Sequence, residues 1–314
     1  MSRINKSAAT GAKGIAESLA ELRKQAPALD NIIQAFGPLV EAGESTLETL
    51  DDWDGFTLPI PDPVQFKEGV PLFGEMKLPD FGSRFQKALV NVAEAIKRGM
   101  PAVADDISAV MSFLDNEKSA NELASALWDE DAACVEALAG AAPLESPMEE
   151  RLALFVFVGL LAMAPFMQRM ERDGVESIAN LQWTKGYCPV CGSFPDMSLL
   201  KKKESLDSEY LVAHGGQRWL HCSCCGHSWR FRRNVCPWCE TEDHKQLQYF
   251  QSEDWKTERI DACNNCKHYF VTLDTREFER APDPRVAPLG LVHLDIVAQE
   301  KGYEPMAETA WNRI

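Results

Sequence analysis

Apolar residues recur at helical spacing through the first part of the chain. After about Ile178 they give way to short runs separated by turn residues. Ile15, Leu19 and Leu22 fall on one helix face within residues 1–27, with Ala and Glu filling much of the rest. A second amphipathic stretch covers 28–50, and further helical patterns cover 83–98, 102–114, 121–128 and 131–138. Between 51 and 80 Asp and Pro dominate, which predicts an extended loop over the helical layer.

Ser146-Pro147-Met148-Glu149 reads as an N-cap, a proline at the first helical position and a capping-box glutamate. From 152 to 167 nearly every residue is apolar, with Arg169, Arg172 and Gly174 closing the helix. That run is shorter than the roughly 20 residues a bilayer needs, and Pro165 interrupts it. It predicts the buried core helix of an N-terminal bundle, with no stable membrane insertion. Past 178, residues 210–213, 218–221, 228–235, 247–250 and 269–273 read as short strands. His214-Gly215-Gly216 reads as a turn, 280–284 as a proline break, and 289–301 as a final helix.

The strands alternate with four Cys-x-x-Cys pairs: Cys188/Cys191, Cys222/Cys225, Cys236/Cys239 and Cys263/Cys266. Taken in order they make two four-thiolate sets, the tetrahedral sulfur shell that zinc or iron accepts. The expected fold is α+β: an all-helical bundle over 1–180, two consecutive rubredoxin-like or zinc-ribbon β modules over 181–234 and 235–280, and a helical segment over 281–314 packing back on the body. Small β modules bury little apolar surface, so a structural thiolate site would supply on the order of 10 kcal/mol of their stability.

Composition sharpens this picture. The chain has 314 residues, 45% hydrophobic and 25% charged, in the range of a globular protein long enough for two cores. Nine of its ten cysteines lie between Cys188 and Cys266, and the first residues carry no continuous apolar run. A reducing cytoplasm is the expected setting, where such pairs bind metal rather than each other. The net charge is −16, and residues 1–180 hold 15 Lys+Arg against 29 Asp+Glu. That balance opposes broad binding of a nucleic-acid backbone.

The finer features divide the two sets. Gly192 and Gly226 follow the second cysteine of their pairs, where a tight turn favours glycine, whereas Glu240 and Lys267 stand at those places in the second set. The second site is therefore expected to be the weaker. Cys224 reads as a spare thiol on its turn, with ligand exchange with Cys222 or Cys225 as the alternative, and Cys134 reads as a small core residue. The six histidines (His214, His221, His227, His244, His268 and His293) are not needed to complete either sulfur shell, and His221 and His227 flank ligands. Lys201–Lys203 and 230–233 are basic runs that read as solvated strand faces, with phosphate contact as the alternative. Trp219, Trp229, Trp238 and Trp255 read as covers for small cores or anchors for a partner.

The runs Cys188-Pro-Val-Cys191-Gly-Ser-Phe-Pro, Trp219-Leu-His-Cys222 through Trp229, and Cys236-Pro-Trp-Cys239-Glu resemble the bacterial formate dehydrogenase accessory protein family, FdhE. Asp261-Ala-Cys263-Asn-Asn-Cys266 and the closing Leu294-Asp295 to Tyr303 extend the likeness, which is specific from about 180 onward. The resemblance implies a helical N-terminal region and rubredoxin-like modules ligated by Cys188, Cys191, Cys222, Cys225, Cys236, Cys239, Cys263 and Cys266, with iron favoured and zinc the other choice. It also implies a cytoplasmic, non-enzymatic factor. Such a factor binds the catalytic subunit of respiratory formate dehydrogenase and supports its maturation before twin-arginine export.

Two other classes compete: a zinc-ribbon protein associated with nucleic acid, and a rubredoxin-type electron carrier. The charge opposes the first, and the large helical half is unexplained by the second. No Ser/His/Asp set, phosphate loop or carboxylate pair argues for an enzyme, and two closed thiolate shells offer no position for substrate.

Overall fold

Phe85, Leu89, Val92 and Ile96 recur along one face of a helix, and all four are buried in the computed structural model of the chain. The structure describes residues 12–202, 216–253 and 256–313. The expected strand at 210–213, His214, Gly215, Lys203 and Trp255 lie outside the described residues. By spatial proximity of its backbone the chain forms two compact units. One comprises Asn31–Gln65 and Pro71–Leu181; the other comprises the chain up to Asp30, Phe66–Val70 and Gln182–Ile314.

The first of these units is helical. Chain order gives α1 (Ile15–Gln25), α2 (Asp30–Glu48), α3 (Pro63–Glu68), α4 (Arg84–Gly99), α5 (Ala104–Phe113), α6 (Glu117–Trp128), α7 (Ala132–Ala141) and α8 (Met148–Gly174). Of these, α4 to α8 and nearly all of α2 belong to the helical unit. Asn116 and Asp131 cap α6 and α7, their side chains accepting from the Ser119 and Cys134 backbone N–H at 2.9 and 3.0 Å.

Helix α8 is long and apolar enough by itself to cross a membrane. Phe155, Val158, Ala162, Phe166 and Met170 on one side of it are nonetheless fully buried, packed beside α4 to α7. Phe166 meets Trp53 edge to face at 4.9 Å and Phe81 at 5.1 Å. The helix runs on through Pro165. Its start differs from the expected cap: Pro147 holds the capping position, and the buried Ser146 hydroxyl makes no hydrogen bond. The Ser146 carbonyl accepts instead from Arg151 Nε at 2.6 Å. Cys134 is likewise not a core residue. It sits in the first turn of α7, partly open to solvent.

The expected 51–80 loop contains α3 and is anchored by aromatics. Trp53 Nε1 donates to Asp80 O at 2.9 Å. Phe66 lies 4.7 Å from Trp183, and the Tyr187 hydroxyl donates to Gly69 O at 2.8 Å, which ties Phe66–Val70 to the C-terminal unit. Helix α1 joins that unit too: Arg280 pairs with Glu17 at 2.8 Å, and the Asp283 N–H donates to Ser18 Oγ at 2.9 Å. The helical residues 15–25 therefore stand apart from the rest of the helical pattern.

The C-terminal unit is built on β1 (Pro195–Lys201), β2 (Gln217–Cys222), β3 (Ser228–Phe231), β4 (Leu247–Phe250), β5 (Glu258–Cys263) and β6 (His268–Asp274). They form one mixed sheet in the order β3-β2-β1-β6-β5-β4. The two antiparallel ribbons, β1-β2-β3 and β4-β5-β6, join edge to edge through a parallel β1/β6 pairing that sets Met197 opposite Val271 and Leu199 opposite Leu273. This join removes one exposed edge from each ribbon. The final helix breaks at Leu291 into α9 (Ala287–Gly290) and α10 (Val292–Glu300), followed by β7 (Glu304–Pro305) beside β6. Ala287, Leu291, Ala298 and Tyr303 bury one core with Met197, Leu199, Ile260, Tyr269 and Val271.

Candidate metal centres

Each ribbon presents its cysteines in the same way. One pair lies on the loop ahead of a strand; the other starts at a strand end and closes in the hairpin turn that follows. Cys188 and Cys191 precede β1, facing Cys222 at the end of β2 and Cys225 beyond it. Cys236 and Cys239 lie between β3 and β4, facing Cys263 at the end of β5 and Cys266 beyond it. Within each set all four sulfurs lie within 4.8 Å of one another. The close pairs are Cys188–Cys225 at 3.6 Å, Cys191–Cys222 at 3.4 Å, Cys236–Cys266 at 3.7 Å and Cys239–Cys263 at 3.8 Å.

These separations far exceed the roughly 2.05 Å of a disulfide. Four sulfurs about 2.3 Å from a central ion stand about 3.8 Å apart, so the spacing suits a tetrahedral metal shell. The polar surroundings suit it as well. The Val190 N–H donates to Cys188 Sγ, and those of Cys224 and Cys225 to Cys222 Sγ, each at 3.4 Å. Asn265 Nδ2 donates to Cys239 Sγ at the same distance. Such donors stabilise thiolate charge on the sulfurs they reach.

Burial pushes the Cys188, Cys222 and Cys225 thiols up from their ordinary range, whereas hydrogen bonding from Cys188 and the other thiols pulls Cys191 well down. In the second set burial raises Cys236, and lifts Cys266 to about 11. Cys239 is opposed by burial but brought down to about 7 by Asn265, the Thr241 N–H and its neighbouring thiols.

The turns share a left-handed residue after the second cysteine. Gly192 and Gly226 have φ of 84° and 72°; Glu240 and Lys267 adopt 56° and 64° without being glycine. The Gly192 and Glu240 N–H groups donate back to Cys188 O and Cys236 O at 3.0 Å, and that of Lys267 to Cys263 O at 2.8 Å. The second set is also more open, with both Cys239 and Cys266 partly exposed.

An aromatic stack spans the two sets. Phe194 lies 4.3 Å from Trp238 with its plane tilted 30°, and Trp238 lies 3.8 Å from His268 with the planes 13° apart. Neither Phe194 nor His268 stood out in the sequence; their places just after Cys191 and Cys266 were the available signal. His221 is buried, its Nδ1 2.9 Å from Asp196 Oδ1, so it braces β2 against β1 beside Cys222. His227 stacks on Trp229. The basic runs meet acidic neighbours: Arg232 pairs with Glu242 at 2.7 Å, and Lys202 lies 3.9 Å from Glu277. Trp219 packs against the sheet core beneath the Lys201 ammonium, whereas Trp238 is 39% exposed.

No family model matches the chain. Curated relatives do. A protein FdhE homolog of Aquifex aeolicus is 34% identical over 122 residues, 39% of this chain and 40% of that protein. One of Haemophilus influenzae strain Rd is 25% identical over 292 residues, 92% of this chain and 83% of that protein. The crystal structure of the FdhE protein from Pseudomonas aeruginosa shares the fold with a TM-score of 0.53 at 20% identity, covering 93% of this chain and 92% of that one. Cysteine motifs, likeness along nearly the whole chain and a common fold agree: the chain is similar to the FdhE proteins.

Proposed function

We propose that this chain is a cytoplasmic accessory factor of respiratory formate dehydrogenase that binds the catalytic subunit before export and is not itself an enzyme. Cys188, Cys191, Cys222 and Cys225 hold one metal ion, and Cys236, Cys239, Cys263 and Cys266 a second, with iron favoured over zinc. The observation that carries this reading is the pair of four-sulfur clusters at tetrahedral spacing in a chain similar to the FdhE proteins. Four protein sulfurs fill a tetrahedral ion completely, leaving no position for substrate, which supports binding rather than catalysis. Iron in such a shell changes charge without changing ligands and supplies a redox signal. The chain's own part is to hold eight sulfurs and their N–H donors rigidly on one sheet.

The test is an oxygen-free pull-down of tagged protein from cells that make the dehydrogenase, with metal analysis of the eluate. Recovery of the catalytic subunit together with two ions per chain is expected. Normal maturation of the dehydrogenase by a variant lacking all eight cysteines would overturn the reading.

A further inference from the structure

Helix α1 belongs to the C-terminal unit and is tied to it at several points. The Lys13 N–H donates to Ala281 O at 2.9 Å, and Glu17 pairs with Arg280. Leu22 packs so close to Gly290 that a Cβ there would stand 2.8 Å from Leu22 Cδ1. A groove of about 1040 Å³ is lined by this helix, residues 26–29, the start of β5, the end of β6 and the segment from Phe278 to His293. Every one of these residues lies in the C-terminal unit.

The lining says what fits. Leu22, Leu29, Phe278 and Pro282 line the groove and stay half-buried, which leaves apolar surface open to water. The volume stands at the top of the roughly 300–1,000 Å³ that suits a small molecule, which favours a chain segment as occupant. The charge is negative. Four carboxylates line the groove, Glu17, Glu21, Glu258 and Glu279, against Lys13 and Arg280. Lys13 pairs with Glu21 and Arg280 with Glu17, so those charges cancel. Glu258 and Glu279 remain. His293, with Nε2 3.2 Å from Glu258 Oε2, answers one of them at most, and Glu279 is exposed. Apolar walls with a surplus of carboxylate complement a segment that is both apolar and basic.

We propose that this groove docks an amphipathic segment of a partner protein, its apolar side chains on the groove walls and its Lys or Arg against Glu258 and Glu279. Leucine-sized side chains displace water from Leu22, Leu29 and Phe278, and the basic groups set the direction in which the segment lies. No cysteine of either set lines the groove, so docking needs neither metal ion. The inference goes beyond the accessory role proposed above and does not depend on which protein carries the segment.

The test uses the full chain and a fluorescein-labelled peptide of about twelve residues, with leucines at helical spacing and lysines beside them. Its control carries glutamate in place of each lysine. Fluorescence anisotropy is expected to give the lysine peptide a Kd tighter than about 100 μM, and the control binding at least about tenfold weaker. Hydrogen exchange should slow in residues 15–29 and 278–293 when the lysine peptide is added. Glu279→Lys, at an exposed position, should weaken binding about fivefold with Tm unchanged. No binding, equal affinity for the two peptides, unchanged affinity in Glu279→Lys, or protection confined to other segments overturns the proposal. Binding that appears only after residues 1–11 are removed assigns the groove to the chain's own N-terminus and overturns it too. So does protection of the same segments on raising protein concentration alone, which assigns the groove to a second copy. The metal count and the pull-down described above are separate readings, and a groove that takes no peptide leaves them standing.

Discussion

Trp238 lies face to face with His268, their ring centroids 3.8 Å apart and their planes 13° from parallel. Phe194 stacks on Trp238 as well, at 4.3 Å. The three rings come from three different cysteine turns, so the stack fixes the first pair of the second set against both its facing pair and the neighbouring site. Aromatic pairs contribute about 0.5–1.5 kcal/mol beyond their buried area. Trp238→Ala is therefore expected to weaken metal retention at the second site by about tenfold, with a smaller effect at the first. Chelator competition on the intact protein measures it; unchanged retention at both sites would remove the stack from the account.

Gly186 makes the same join through backbone. A Cβ there would stand 1.9 Å from Pro237 O, a carbonyl within the Cys236–Cys239 turn that cannot swing aside. Gly186→Ala should cost on the order of 1–3 kcal/mol of the C-terminal unit's stability. A lowered urea midpoint with an unchanged slope is the expected result.

The left-handed turn residues predict opposite outcomes in the two sites. Gly192 sits at φ 84°, where an L side chain is strained, so Gly192→Ala should destabilise the first site by about 1 kcal/mol. Glu240 already bears that strain at φ 56°. Glu240→Gly relieves it, and the Lys185–Glu240 pair lost in exchange is an exposed one at 3.2 Å, worth little. Thermal melts of both variants should shift in opposite directions.

Asp295 gives the C-terminal unit a pH dependence. Burial raises its carboxyl to about 7, against the acceptance of a hydrogen bond from the Tyr269 hydroxyl at 2.7 Å; Asp196 raises it further and His293 opposes that. An unfolded Asp titrates near about 3.9, so the folded state holds the proton more tightly. This group's contribution is full below pH 4 and is lost as pH rises toward about 7. Asp295→Asn should flatten stability between pH 5 and 7, where wild type declines by up to about 1.4 kcal/mol per pH unit from this group. Denaturation midpoints across that range decide it; parallel curves would contradict it.

The grouping of the eight cysteines into two four-sulfur clusters was legible from spacing because a Cys-x-x-Cys turn is a local device that needs no knowledge of the rest of the chain. The α4 face and the strand at Leu247–Phe250 were legible for the same reason: their periodicity is local. Strand β5 was not. Its apolar alternation is only two residues long, Ile260 and Ala262 alternating with the charged Arg259 and Asp261, and the reason for those charges lies elsewhere in the sheet, where Asp261 accepts from Arg218 at 2.8 Å and from Thr272 at 2.6 Å. Strand β1 was missed as well, since its burial on both faces follows from pairing with β6 some 74 positions away. The placement of α1 with the C-terminal unit depends on Glu17 and Ser18 meeting Arg280 and Asp283, a relation no window of sequence contains. Ser146 shows the reverse failure: a complete local capping pattern displaced by Pro147 at the cap itself.

The most direct measurement is metal per chain in protein purified without oxygen, for wild type and for two double variants, Cys188→Ser with Cys191→Ser and Cys263→Ser with Cys266→Ser. The account predicts two ions in wild type and one in each variant. A wild-type protein that carries no metal and still keeps its sheet, with eight reactive thiols, would contradict it.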